Sequence, residues 1–79
     1  MNILPKPRVV LITEVSFEDG VLQAFLSDGR EIRVPLEYFP ALRDATPEQR
    51  QNWRLIGRGV GIHWPELDED ISLEGLLIP

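Results

Sequence analysis

Val21-Leu22-Gln23-Ala24-Phe25-Leu26-Ser27-Asp28-Gly29-Arg30-Glu31-Ile32-Arg33-Val34 decides the fold class. Leu22, Ala24 and Leu26 recur at every second position, and Ile32 and Val34 do the same against Glu31 and Arg33. Period two is the repeat of a strand with one buried face, so Val21 to Leu26 and Arg30 to Val34 read as strands. Between them Ser27-Asp28-Gly29 has turn chemistry, with glycine free to take a positive φ. Glu18-Asp19-Gly20 repeats that chemistry one strand earlier. Arg8 to Phe17, rich in β-branched Val9, Val10, Ile12, Thr13 and Val15, supplies a further strand. Alternation sets Val9, Leu11, Thr13, Val15 and Phe17 on one face, with Val10 and Ile12 on the other. A strand apolar on both faces is expected to be central or covered by a helix. Three strands joined by two short turns specify an antiparallel meander.

Outward from the meander, Met1 to Pro7 holds two prolines and reads as an extended lead-in. Leu36 to Ala45 has Leu36, Phe39 and Leu42 at threefold spacing, which suits a short helical or 3₁₀ segment broken at Pro40. Thr46-Pro47-Glu48-Gln49 is a helix start. Thr46 is the cap, Pro47 fits the first helical position, and Gln49 completes a capping box. Trp53 to Ile56 fits a fourth strand or a helix end equally well. Gly57, Gly59 and Gly61 then turn the chain or let backbone approach Trp53 or Trp64 closely. Val60, Ile62 and Trp64 alternate as the inner face of a strand that Pro65 stops. Glu66 to Asp70 reads as an acidic loop leading into a final helical turn, with Ser72 or Asp70 as its cap.

Seventy-nine residues make one small domain, 1–79, of α+β class. A hydrophobic fraction of 43% and a charged fraction of 27% suit a folded chain, not a disordered one. The chain has no cysteine, which excludes disulfides and thiolate chemistry and suits a cytoplasmic protein. No apolar run is long enough to span a membrane. Thirteen acidic residues against eight dispersed basic ones argue against direct binding of nucleic acid. The balance is compatible with a basic protein partner.

His63, Trp64, Glu66, Asp68, Glu69 and Asp70 form the candidate binding surface. His63 is the only histidine, and alternation turns it away from Ile62 and Trp64. As a general base it needs an orienting carboxylate and a nucleophile or polarised water. Ser72 is the nearest hydroxyl in sequence, but no turn of nucleophile-elbow type presents it. Asp68 and Asp70, two apart, have the oxygen ligands that hard cations take, yet the EF-hand spacing is missing. Carboxylates before a helix start have a plainer role at its positive end. Gly57-Arg58-Gly59-Val60-Gly61 lacks both the dinucleotide and the P-loop pattern. No catalytic residue, metal ligand set or cofactor is therefore expected.

Leu22-x-Ala24-x-Leu26-Ser27-Asp28-Gly29-Arg30, Ile32-x-Val34-Pro35-Leu36, Phe39-Pro40-x-Leu42 and Ala45-Thr46 follow one another in order. Ile62-His63-Trp64-Pro65-x-Leu67-Asp68-Glu69-Asp70-Ile71-Ser72 comes last, closed by Gly75-Leu76-Leu77. Over nearly its whole length the chain thereby resembles domain-of-unknown-function family 2442. The resemblance implies a compact α+β domain carried by bacterial or phage genes. Members occur alone, fused to helix-turn-helix segments, or beside small genes in an arrangement that looks like toxin–antitoxin pairing. It brings no catalytic residues with it. The resulting expectation is a non-enzymatic interaction module, the acidic, antitoxin-like partner of a small basic protein. The alternative is a small metal-dependent enzyme using His63 and the loop 66–70. Homo-oligomerisation through a sheet edge or the apolar Leu76-Leu77-Ile78-Pro79 is compatible with the first reading.

Overall fold

The structure is a computed structural model that describes residues 9–78. The expected lead-in at 1–7 lies outside the described residues. β1 (Ile12–Glu18), β2 (Val21–Leu26) and β3 (Glu31–Pro35) form an antiparallel sheet in that order. A second antiparallel sheet contains β4 (Arg54–Ile56), β5 (Gly61–Trp64) and β6 (Glu69–Ser72). Between them run a 3₁₀ turn at Leu36–Tyr38, α1 (Pro40–Arg43) and α2 (Pro47–Gln51), and α3 (Leu73–Leu77) follows β6. The class is α+β, beginning with the three-stranded meander.

The first turn of the meander is a two-residue loop. Asp19 and Gly20 both have positive φ, at 50° and 75°. Such a loop matches the right-handed twist of the strands it joins. The second turn closes when the Leu26 N–H donates to the Arg30 carbonyl at 2.8 Å.

β1 departs from the expected alternation. Ile12 opposes Leu26 but Glu14 opposes Phe25, so Thr13 is an inserted bulge residue. The bulge reverses the facing of everything before it. Ile12 and Val15 consequently share the buried side, while Thr13 is exposed and its hydroxyl donates to the Phe25 carbonyl at 3.2 Å. Val9, grouped by alternation with Val15 and Phe17 in a strand expected from Arg8, precedes β1, which begins at Ile12, and is 81% exposed. The strand is also at an edge of its sheet, not at the centre.

The two sheets join where the Ile12 N–H donates to the Gly59 carbonyl at 2.8 Å. Their inner faces make the core. Ile12, Val15, Leu22, Ala24 and Leu26 meet Ile62, Trp64 and Ile71, and Leu36, Leu42 and Leu76 close the ends. Phe17 and Trp64 pack edge to face with ring centroids 6.4 Å apart.

Trp53–Ile56 resolves as a strand preceded by coil. Val60 does not belong to the next strand or to the core. It occupies the turn before β5 and is 51% exposed, because four residues, Gly57 to Val60, are needed to reverse the chain. Of the glycines in that turn, Gly59 approaches β1, not a tryptophan. A Cβ on Gly59 would lie 2.2 Å from the Ile12 carbonyl oxygen.

Helix starts follow their capping residues. The Gln49 N–H donates to Thr46 Oγ1 at 3.1 Å, and the Thr46 N–H donates to Gln49 Oε1 at 2.9 Å. Ser72 caps α3 by accepting from the Gly75 N–H at 2.8 Å.

Candidate functional site

The acidic segment is not a loop running into a helix. Residues 65–68 make a tight turn, and Glu69 to Ser72 return as β6 along β5. The turn closes with the Leu67 N–H donating to the Trp64 carbonyl at 3.2 Å. Asp68 takes a φ of 49°, a conformation that aspartate tolerates better than most residues. Glu66 accepts a hydrogen bond from Asn52 Nδ2 at 3.1 Å, tying the turn to the end of α2.

Directly opposed residues on antiparallel strands project to the same side. Arg54 of β4, His63 of β5 and Asp70 of β6 therefore form one row across the outer face of the second sheet. His63 Nδ1 is bonded to the Asp70 carboxylate. That pairing orients the imidazole and leaves Nε2 as its second nitrogen. Trp64 lies on the other side of the same strand. It is wholly buried, and its indole N–H donates to the Arg50 carbonyl at 3.0 Å.

The six candidate residues thus divide. His63 and Asp70 come together, Glu66 and Asp68 shape and tie the turn, Glu69 opens β6 opposite Trp64, and Trp64 fills the core. Among the described residues, no three histidine, aspartate or glutamate side chains gather as a metal would require. His63, Asp68 and Asp70 do not converge.

Three of the six described arginines have local partners. Arg30 pairs with Asp28 at 2.7 Å, Arg43 with Asp44 at 2.9 Å, and Arg50 donates to the Leu42 and Ala45 carbonyls, each at 2.9 Å. The Arg30 backbone N–H, with the Arg30 guanidinium, holds the Asp28 carboxyl below its ordinary range. The Arg43 guanidinium does the same for Asp44.

Two further surfaces lie apart from the six candidate residues. Tyr38, Leu77 and Ile78 are exposed at the rim of a groove floored by Val34, Pro35, Phe39 and Leu76. Of the apolar C-terminal run, Leu76 docks and Leu77 and Ile78 do not. On the outer face of the first sheet, Phe25 stands between Glu14 and Glu31. The two turn lengths fix that register, so the row was available from the sequence once the turns were counted.

A family model described as "Protein of unknown function (DUF2442)" matches residues 12–79. The chain belongs to the DUF2442 family. A protein of unknown function from Rhodospirillum rubrum, solved by crystallography, has a similar structure. Its TM-score is 0.77 at 25% identity, over 89% of this chain and 87% of that one. An uncharacterised protein from Chromobacterium violaceum, solved by solution NMR, is similar with a TM-score of 0.73 at 32% identity. That match covers 85% of this DUF2442 chain and 63% of the Chromobacterium chain, so this chain spans under two thirds of it. A search of curated proteins finds no match. No helix among the described residues is long and apolar enough to cross a membrane.

Proposed function

We propose that the protein is a non-catalytic interaction module whose partner is a small basic protein. The observation that carries this reading is how charge is distributed over the folded surface. Asp28 and Asp44 occupy Arg30 and Arg43, and backbone carbonyls hold the Arg50 guanidinium. Six glutamates, Glu14, Glu18, Glu31, Glu37, Glu48 and Glu74, are exposed and make no ion pair among the described residues, against three arginines, Arg33, Arg54 and Arg58. With a net charge of −5, such a surface attracts a cationic protein and repels phosphate backbones. Family resemblance supports the same role, since the gene arrangement of some members looks like toxin–antitoxin pairing. This chain would be the acidic, antitoxin-like member of such a pair. Co-expression with the adjacent gene product, followed by native mass spectrometry, tests the reading. A complex that dissociates as salt is raised is the expected result. A monomer indifferent to that product overturns it.

Self-association is a second reading, favoured by the apolar rim of Tyr38, Leu77 and Ile78. Light scattering on the wild type and on Leu77→Asp distinguishes it. A dimer that Leu77→Asp converts to monomer supports it, and a monomeric wild type ends it.

A further inference from the structure

The outer face of the first sheet carries an arrangement that neither the core nor the turns require. Three cross-strand rows make up that face: Glu14–Phe25–Glu31, Ser16–Gln23–Arg33 and Glu18–Val21–Pro35. Glu14, Glu18 and Glu31 are exposed without an ion pair among the described residues, and Arg33 is the one cation in the three rows. Phe25 is half-buried, flanked by a carboxylate on either side. An aromatic ring draws a cation to its face through its quadrupole, and flanking carboxylates add to that attraction.

A second observation falls at the centre of the face. Gln23 is only 8% exposed, the one buried polar residue of the protein's described part. The Ser16 hydroxyl satisfies its amide oxygen at 2.7 Å, and the amide nitrogen makes no hydrogen bond among the described residues. Exchanging the amide oxygen and nitrogen changes nothing here, because Ser16 can serve either end and leaves the other over. Among the described residues no fully enclosed side-chain polar atom lacks a partner, so this end of Gln23, on the outer side of β2, is not fully enclosed. A polar side chain this buried with one end not fully enclosed is suited to hydrogen-bond a group brought to the surface.

We propose that this face, the outer side of β1–β2–β3, is where the basic partner docks. Phe25, Glu14 and Glu31 receive one of its arginine or lysine side chains, and Gln23 hydrogen-bonds the same segment. The inference rests on the reading of the protein as the binder of a basic protein. The carboxylates that favour a cationic segment disfavour an acidic one or a nucleic acid.

The test is an NMR titration of the isotopically labelled full chain with a hexa-arginine peptide, with hexa-glutamate as the counter-probe. Saturable shifts at Glu14, Ser16, Gln23, Phe25 and Glu31 are expected with the arginine peptide and none with the glutamate peptide. Glu14→Gln with Glu31→Gln should weaken binding about tenfold, as expected from losing two exposed carboxylate contacts. Phe25→Leu, which keeps an apolar side chain but no ring, should weaken it several-fold. The paired Glu→Gln change is isosteric and exposed, so an unchanged melting temperature confirms that the fold is intact. Saturable binding that centres on Glu66–Asp70 and ignores Glu14→Gln/Glu31→Gln overturns the site while the basic-partner reading stands. No saturable binding to the arginine peptide overturns both.

Discussion

At the scale of single residues, two glycines with positive φ make a sharp comparison. Gly20, at φ 75°, has no atom within 4 Å of where a Cβ would stand. Gly20→Ala should therefore cost only the left-handed backbone penalty, about 1–2 kcal/mol. Gly59 combines a φ of 124° with a Cβ position 2.2 Å from the Ile12 carbonyl oxygen. Its carbonyl also accepts the bond that joins the two sheets. Gly59→Ala should exceed the Gly20→Ala cost by about 2 kcal/mol or more, because strain and a backbone clash act together. Urea midpoints for the two variants check the order. The sequence showed that the glycines turn the chain, but not that one of them abuts β1, since that contact spans more than forty residues. Asp28 gives a pH-dependent case. Its folded carboxyl titrates below the ordinary 3.8 because the Arg30 N–H and guanidinium favour the charged form. A depressed carboxylate stabilises the fold above the unfolded value, and that contribution is lost as pH falls through the lowered folded value. Asp28→Asn should thus be less stable than wild type near pH 7, with the gap closing below about pH 3.8. Thermal melts across that range measure it, and a gap that widens in acid would contradict the assignment.

Elements whose signals are local were legible, and those that depend on distant pairing were not. The α2 start could be read because Thr46, Pro47 and Gln49 act on one another within a single turn. Thr46→Ala should cost about 1 kcal/mol, since it leaves the Gln49 N–H without its acceptor. Its measure is the loss of hydrogen-exchange protection at Gln49 alongside a lowered urea midpoint. β6 was invisible by comparison. Glu69 and Asp70 have poor strand propensity, and Ile71 is its one buried apolar residue. What makes the segment a strand is its register with β5, which places Ile71 against Ile62 and Asp70 beside His63. The His63–Asp70 pair was therefore foreshadowed only as a histidine near carboxylates. As an exposed pair on a sheet face it should contribute less than about 1 kcal/mol, so Asp70→Asn is expected to be nearly neutral for stability. The bulge at Thr13 had no sequence signal of its own, and it displaced Thr13 from the face assigned to it.

For the whole molecule, the question is whether two three-stranded sheets behave as one cooperative unit. Three strands are the lower limit for a sheet that is stable by itself in water, and each sheet here has an apolar face that the other covers. Trp64 is the largest wholly buried side chain and lies between them. Its ring meets Phe17 of the first sheet, and its N–H holds the Arg50 carbonyl at the end of α2. A chain of this length is expected to have about 4–12 kcal/mol of stability. Trp64→Ala, which removes the ring and leaves a cavity, should take away about 3–5 kcal/mol of it. That loss is large enough to leave the variant marginal. Trp64→Phe keeps an aromatic ring but not the indole donor, and the unsatisfied Arg50 carbonyl plus lost volume should cost about 1–3 kcal/mol. Because both sheets depend on the same contact, protection against hydrogen exchange in β2 and β5 should fall together in each variant. Retained protection in β2 after its loss in β5 would mean that the meander folds without the second sheet. In that event Trp64 would stabilise only the β4–β5–β6 half, and the docking face on β1–β2–β3 would survive the substitution. A basic peptide that still bound Trp64→Ala under those conditions would show the meander to be self-sufficient as a binding surface.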